Sequence, residues 1–336
     1  YNGITLLALK MHSPVLSLDI RKIVTDSDLD GIVTAAILKR HWRDAEIIFA
    51  HPGELRSGVL DGLIDKYTAI CDLPMHPRCG LNIDHHRTNK IIDDSQTNGI
   101  FIWKDYPSAA RIAYEILSEV VDLSDLEELL FWVDKIDSGH IKKEEFLENG
   151  DVFVIGRLIG SNQIINLQIL EAIKNRESIK NILSKNIMQP HLKNIKDERI
   201  MIDSLIDKTL EVNNRLAIVR FEDSGIRSNG YHITAKVGDD CDACIIIHGY
   251  TNSKFNNNGE YPVSASFYTN SFLHATGGIY NLIKMAKRFD VDGGGHENAC
   301  GCRIMPLDDG ILVNRELNNF DIESNIKAWI EMWNTD

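Results

Sequence analysis

Basic residues are in deficit: 36 lysines and arginines stand against 49 aspartates and glutamates, a formal net charge of −13. Tight, sequence-independent binding of long duplexes needs a basic footprint, so that class of function is disfavoured. A short phosphorylated substrate is not, because divalent cations held by carboxylates reverse the sign locally. No stretch approaches the ~20 consecutive apolar residues of a membrane span. The run ITLLAL at 4–9 is too short, and lacks the basic flank and cleavage site of a leader, so neither leader nor membrane association is expected. Six cysteines in 336 residues make no disulfide framework, and a reducing cytoplasm is the expected compartment. Cys241 and Cys244 form CDAC, and Cys300 and Cys302 form CGC. Four thiolates would suit zinc, but IIIHGY follows Cys244 as the entry to a buried strand, which favours structural thiols. Internal repeats are absent, and low complexity is confined to one NNN.

A length of 336 residues with ordinary globular composition predicts two domains. Over the first 160 residues short apolar runs alternate with helical patterns. KIVT at 22–25, EIIFAH at 46–51, TAICDL at 68–73 and LNID at 81–84 read as strands. GIVTAAILKRHW at 31–42, VLDGLIDKY from 59, SAARIAYEILSEV at 108–120 and LEELLFWVDKID at 126–137 read as helices. That alternation implies a parallel α/β sheet. In the first of these helices the apolar positions Ile32, Ala35 and Ala36 give way to polar Lys39 and Arg40. Residues 161–210 carry no strand signal and read as a helical connector, broken near Pro190. From 211 the pattern turns β-rich, with NRLAIVRF, YHITAKV, DACIIIHGY and YPVSASFYT as strands and FNNNGE at 255–260 as a hairpin turn. A helix at 279–288, a glycine cluster and a last strand CGCRIM complete a smaller α/β domain. The expected organisation is 1–160, 161–210 and 211–336.

The densest chemistry lies in TDSDLDG at 25–31. Asp26, Asp28 and Asp30 alternate directly after a strand and before a helix, and in extended backbone alternate side chains share a face. Three such carboxylates repel one another unless cations neutralise them, and oxygen ligands suit magnesium or manganese. A competing role is helix capping, with Asp30 accepting backbone N–H groups. Asp72 ends the strand TAICD, and Asp84, His85 and His86 end LNIDHH. In an open parallel sheet ligands gather outside the carboxyl ends of the strands, so three strand ends converge on one crevice. Imidazole beside carboxylates tips the choice toward manganese, with other transition metals as alternatives.

These segments resemble the DHH phosphoesterase superfamily, which includes RecJ-type exonucleases, oligoribonucleases, cyclic-dinucleotide phosphodiesterases and manganese-dependent pyrophosphatases. The motifs that carry the resemblance are DSDLDG at 26–31, CDLP at 71–74, IDHHRTN at 83–89 and DKIDSG at 134–139. DGGGHENACG at 292–301 resembles the DHH-associated domain that follows in the family. Together they cover most of the chain in the family's order. They are specific for the superfamily and poor for substrate. The resemblance implies a parallel-sheet DHH domain, a helical connector and a C-terminal α/β domain, with the active site in the cleft between the domains. It implies two cations: one held by Asp26, Asp28 and Asp72, the other by Asp30, Asp72, His85 and Asp137, with Asp72 bridging. Many members carry histidine where Asp26 stands, whereas the RecJ-like branch often has aspartate. Asp134 and Asp137 share a helix face; the Ser-Gly after Asp137 favours Asp137.

Water activated between the cations would attack phosphorus in line. His86 is then the candidate to contact phosphate and assist the leaving group, and Asp84 to orient a histidine, helix or turn capping being its competing role. Arg87 is a candidate phosphate contact. Gly293, Gly294, Gly295 and His296 resemble the family's substrate-holding loop, in which backbone N–H groups approach an anion. One departure stands out. Related domains often carry an arginine on the preceding strand, yet VSASFYTN at 263–270 has none, and Arg288 and Arg303 are the nearby substitutes. Phe267 and Tyr268 are candidates to stack a base, one of the pair being core.

The expected activity is metal-dependent phosphodiester hydrolysis, with short single-stranded RNA or DNA or a dinucleotide as substrate, and a homodimer as candidate assembly. RecJ-type processive enzymes usually add a nucleic-acid-binding module, for which the two expected domains leave no room. A phosphatase of a small nucleotide or phosphoanhydride is the alternative enzyme; a non-catalytic binding subunit is the alternative of another class, disfavoured because every ligand position holds Asp or His.

Overall fold

The structure, a computed structural model, describes residues 14–90, 99–160, 162–253 and 261–335. The run at 4–9 and the turn at 255–260 lie outside them. The chain runs β1 (Lys22–Thr25), α1 (Leu29–His41), β2 (Glu46–Phe49), α2 (Pro52–Arg56), β3 (Thr68–Cys71), β4 (Leu81–Asp84), β5 (Ile100–Trp103), α3 (Ala109–Leu117) and α4 (Glu127–Asp137). A purely helical stretch follows: α5 (Lys143–Glu148), α6 (Asp151–Leu158), α7 (Gln163–Lys174), α8 (Ile179–Ser184) and α9 (Gln189–Thr209). Strands β6 (Glu211–Asn213) and β7 (Leu216–Arg220) come next, then α10 (Gly230–Val237). The remainder is β8 (Ala243–His248), β9 (Ser264–Thr269), α11 (Ile283–Ala286), β10 (Gly294–His296), β11 (Ala299–Arg303), the hairpin β12 (Leu307–Asp308) and β13 (Ile311–Leu312), and α12 (Asn319–Thr335). The chain divides into two compact units, 1–138 with 149–193, and 139–148 with 194–336. Among the described residues no helix is long and apolar enough to cross a membrane.

In the first unit five parallel strands lie in the order β2-β1-β3-β4-β5. Their near-continuous apolar sequences suit a sheet covered on both faces. The order reverses at β1, so the connections leaving β1 and β3 part there and open a crevice at their carboxyl ends. α1 is buried along nearly its whole length. Ile32, Val33, Ile37 and Leu38 are fully enclosed, each burial stabilising the fold by about 1.5–3 kcal/mol. The change from apolar to polar at Lys39 and Arg40 therefore does not mark a solvent face. Arg40 is buried, forking onto Asp125 at 2.6 and 2.7 Å and donating to the Ile173 carbonyl at 2.7 Å. Pro190 does not break the connector; it sits in the first turn of α9, where its missing N–H costs nothing.

The second unit is built on a mixed sheet, β10-β11-β9-β8-β7-β6, in which β7 and β8 are parallel and the other pairs antiparallel. Phe267 faces its core, edge-on to Trp329 of α12 at 5.0 Å. The segment YHITAKV, read as a strand from its alternation, is the helix α10. Asn229 caps it by accepting from Tyr231 N–H at 3.1 Å, and Ile233 and Thr234 give it a buried face. The helix expected at 279–288 shortens to one turn at Ile283–Ala286, and the helix expected from 59 is absent, 59–63 forming turns. The six cysteines are buried free thiols, and burial raises those of Cys244 and Cys302.

Asp321 fastens the β12–β13 hairpin to α12. Fully buried, it accepts Arg315 Nη1 and Nη2 at 2.6 and 2.7 Å, and the N–H groups of Leu307 and Asn318 at 2.9 and 2.8 Å. Burial opposes its charge, but Arg315 and the backbone donors outweigh burial and hold its pKa below the usual aspartate value. A depressed native pKa stabilises the fold above the unfolded value of about 3.9 and loses that stabilisation as pH falls through the native pKa. Asp321→Ala is expected to destabilise the protein by about 2–4 kcal/mol at pH 7. Urea unfolding at pH 7 and at pH 3 checks this: the difference between variant and parent should shrink at the lower pH.

Candidate metal centre

The chain reaches the crevice first through the loop after β1. Asp28 is the residue that caps α1, accepting from Gly31 N–H at 2.8 Å, the capping role considered above for Asp30. Gly31 is required sterically: a Cβ there would lie 2.5 Å from the Asp26 carbonyl and 2.9 Å from Thr25 Oγ1. Asp26 accepts from Ser27 N–H at 2.6 Å. Asp30, in the first turn of α1, is buried and its side chain reaches the start of α3. Its Oδ2 accepts from Ala109 N–H at 2.7 Å and its Oδ1 from Ala110 N–H at 2.8 Å. The helix N-terminus thereby holds a carboxylate by its own orphan donors. Burial together with the nearby Asp137 charge pushes the Asp30 pKa up to about 7.

Asp72 follows β3 directly, and its backbone is left-handed (φ 57°). Aspartate tolerates that region better than most side chains, at a cost of about 1 kcal/mol. The side chain is buried, its Oδ1 accepts no hydrogen bond among the described residues, and Asp28 lies within hydrogen-bonding reach. Burial, then the charges of Asp30 and Asp28, raise its pKa well above the usual value.

The end of β4 supplies the nitrogen. His85 Nδ1 lies 3.0 Å from the Tyr106 carbonyl, an acceptor, so Nδ1 carries hydrogen and Nε2 is the ligating nitrogen of the neutral ring. His85 Nε2 lies 3.1 Å from Asp137 Oδ2, 3.5 Å from Asp72 Oδ1 and 3.5 Å from Asp30 Oδ2. Burial opposes its charge, but these carboxylates outweigh burial and raise its pKa. Asp137, the last residue of α4, is thus brought to the crevice. Asp134, three residues earlier, is turned onto Ser108 and Arg111.

Asp84 is fully buried beneath the two histidines. Its Oδ1 accepts from the N–H groups of His85 and His86 at 2.8 and 3.1 Å and lies 2.8 Å from His86 Nδ1; its Oδ2 accepts from Asn89 Nδ2 at 2.8 Å. Burial pushes its pKa up, but His86 and the other donors prevail and lower it. The charge in turn raises His86 against the opposing effect of burial. Asn89 went unassigned in the sequence although it closes the motif IDHHRTN; its contribution needed the fold of the turn at Arg87–Asn89.

One ligand atom from each of Asp30, His85 and Asp137 lies within 4.8 Å of the others, and the same holds for Asp72, Asp84 and His86. A buried carboxylate oxygen without a hydrogen bond, acids driven toward protonation and an imidazole presenting Nε2 fit a divalent cation of the magnesium or manganese type. Arg87, exposed beside His86, pairs with Asp105 at 3.4 Å.

The glycine loop belongs to the second unit. Gly294 and His296 pair with Gly301 and Ala299 of β11. A Cβ on Gly293 would meet the Ala286 carbonyl at 2.2 Å; on Gly295 (φ 131°) it would meet the Ala299 carbonyl at 2.6 Å. Both glycines are therefore fixed by close backbone packing. Arg303 is held by Asp290, at 3.0 Å through Nε, and by Asp292 at 2.7 Å, so it is engaged within this unit.

The fold is similar to that of solved structures that include a DHH domain, the kind of domain its motifs resemble. Among solved structures the chain is similar to PggH, a pGpG-specific phosphodiesterase from Vibrio cholerae, with a TM-score of 0.60 and 23% identity over 94% of this chain and 99% of that one. It is also similar to a DHH domain described as belonging to a family of ribosomal proteins, with a TM-score of 0.56 and 11% identity over 97% of this chain and 90% of that one. No family model and no curated protein matches it.

Gly31→Ala is expected to push the loop off α1 and to cost about 1–3 kcal/mol. Thermal unfolding in chelator tests it; a melting temperature equal to the parent's would contradict the packing described.

Proposed function

We propose that this chain is a divalent-cation-dependent phosphodiesterase acting on short single-stranded oligonucleotides or dinucleotides. The observation that carries the reading is the buried His85 Nε2 with three carboxylates 3.1–3.5 Å away, contributed by α1, the end of β3 and the end of α4. Asp26, Asp28 and Asp72 would hold one cation; Asp30, Asp72, His85 and Asp137 the other. When bound, such cations acidify water and neutralise charge on the non-bridging phosphate oxygens. Tyr106 and Asp84 fix the two imidazoles. His86, with Nδ1 held at Asp84, is set in one orientation to contact phosphate and to give a proton to the leaving oxygen. Asp84 acts through His86 and does not touch substrate. Arg87, Gly293, Gly294, Gly295 and His296 are the proposed substrate contacts.

A chain of net charge −13 has the sign for a small substrate carried by cations. The likeness to a pGpG-specific phosphodiesterase, over nearly the whole of both chains, directs the test toward linear dinucleotides. Manganese is the proposed cation on the chemistry of the mixed nitrogen and oxygen donors. The test is hydrolysis with manganese of a linear dinucleotide, a labelled RNA pentanucleotide, the matching DNA, a cyclic dinucleotide, a nucleoside 3′,5′-bisphosphate and pyrophosphate. Cleavage of the dinucleotide or an oligonucleotide is expected, abolished by Asp72→Ala and slowed about 10²–10⁴-fold by His86→Ala. Turnover confined to the bisphosphate or pyrophosphate would contradict the substrate class, and full turnover by Asp72→Ala would contradict the site.

A further inference from the structure

Asp137 stands at an unfavourable place. It is the last residue of α4, and Asp134 lies one turn earlier; carboxylates in a last turn oppose the helix dipole, and last turns fray. The structure counters both effects at one point. Ser108, the cap of α3, accepts from Arg111 N–H at 3.0 Å and donates to Asp134 Oδ1 at 2.6 Å. Asp134 Oδ2 accepts from Arg111 Nε at 2.9 Å and also from Nη2. The Asp134 carbonyl accepts from Ser138 N–H at 3.1 Å and from Ser138 Oγ at 2.5 Å, closing the turn that carries Asp137. The two residues after Ser108 are Ala109 and Ala110, whose N–H groups hold Asp30.

We propose that Ser108, Arg111 and Asp134 form a positioning clamp that sets Asp30 and Asp137 at their separation before a cation arrives. The inference rests on the cation-site reading above. Both ligands are tied to elements the clamp joins: the Asp30 carboxylate, borne by α1, is held by the first N–H groups of α3, and Asp137 ends α4. With Arg111→Met, α3 keeps its cap, but the Asp134 carboxylate at the end of α4 loses its guanidinium partner. The clamp touches neither substrate nor cation.

The experiment is manganese titration by calorimetry of the parent, Asp134→Asn, Arg111→Met, the double variant and Asp72→Ala, with thermal unfolding in chelator alongside. Arg111→Met carries the same test should Asp134→Asn fail to fold. Each single variant should bind manganese about 10–100-fold more weakly, as loss of an outer partner of a metal ligand does. The double variant should be no weaker than the worse single, because the two side chains act as one unit. Folded variants whose manganese affinity stays within about twofold of the parent, while Asp72→Ala loses binding, would reduce the clamp to a packing contact and overturn this inference alone. A parent that binds no manganese would overturn the cation site and the clamp together.

Discussion

The first unit is organised around a repulsion. Asp30, Asp72 and Asp137 are brought to within 3.5 Å of one imidazole nitrogen at a buried place, where like charges interact far more strongly than in water. Such an arrangement persists only if the surrounding structure over-determines each carboxylate. It does: α3 holds Asp30 with two backbone N–H groups, Asp72 sits on its own left-handed backbone, and the end of α4 carries Asp137. The strand order that opens the crevice, the glycine that lets the first loop close on α1, and the carbonyl that sets the His85 tautomer all serve that placement. The cost in protonation free energy is what a divalent cation would remove.

Much of this was legible in the sequence because motif chemistry and sheet geometry point the same way. Strand ends carrying acids and histidines, alternating with helices, determine both a parallel sheet and the edge on which its site lies. Asp134 was harder. Spacing puts it on the same helix face as Asp137, the Ser-Gly that follows favours Asp137, and the role of Asp134 needed its pairing with Ser108 and Arg111, distant in sequence. YHITAKV misled because β-branched residues in alternation mimic a strand, whereas Asn229 and a buried apolar face determine the helix. The burial of Arg40 was not legible, because its partners Asp125 and the Ile173 carbonyl are distant in sequence. α6 begins after Gly150 without a side-chain cap, so it lacks one of the signals that flag a helix from sequence.

The second unit shows why a motif and its mechanism must be separated. Gly293 and Gly295 are glycines because neighbouring carbonyls leave no room for a Cβ, a reason that would hold with or without an anion nearby. Arg303, which the sequence offers in place of the missing strand arginine, is taken by Asp290 and Asp292. Of the two candidate stacking aromatics, Phe267 belongs to the core against Trp329, and Tyr268 packs over Gly230, where a Cβ would come within 2.3 Å of it.

The central claim is that Asp72 and His85 ligate the same divalent cation. Anomalous diffraction at the manganese absorption edge, from crystals grown with manganese chloride, tests it without recourse to any substrate. The account predicts an anomalous peak about 2–2.5 Å from both an Asp72 carboxylate oxygen and His85 Nε2. Manganese bound elsewhere on the chain, with no peak in reach of Asp72, would contradict it.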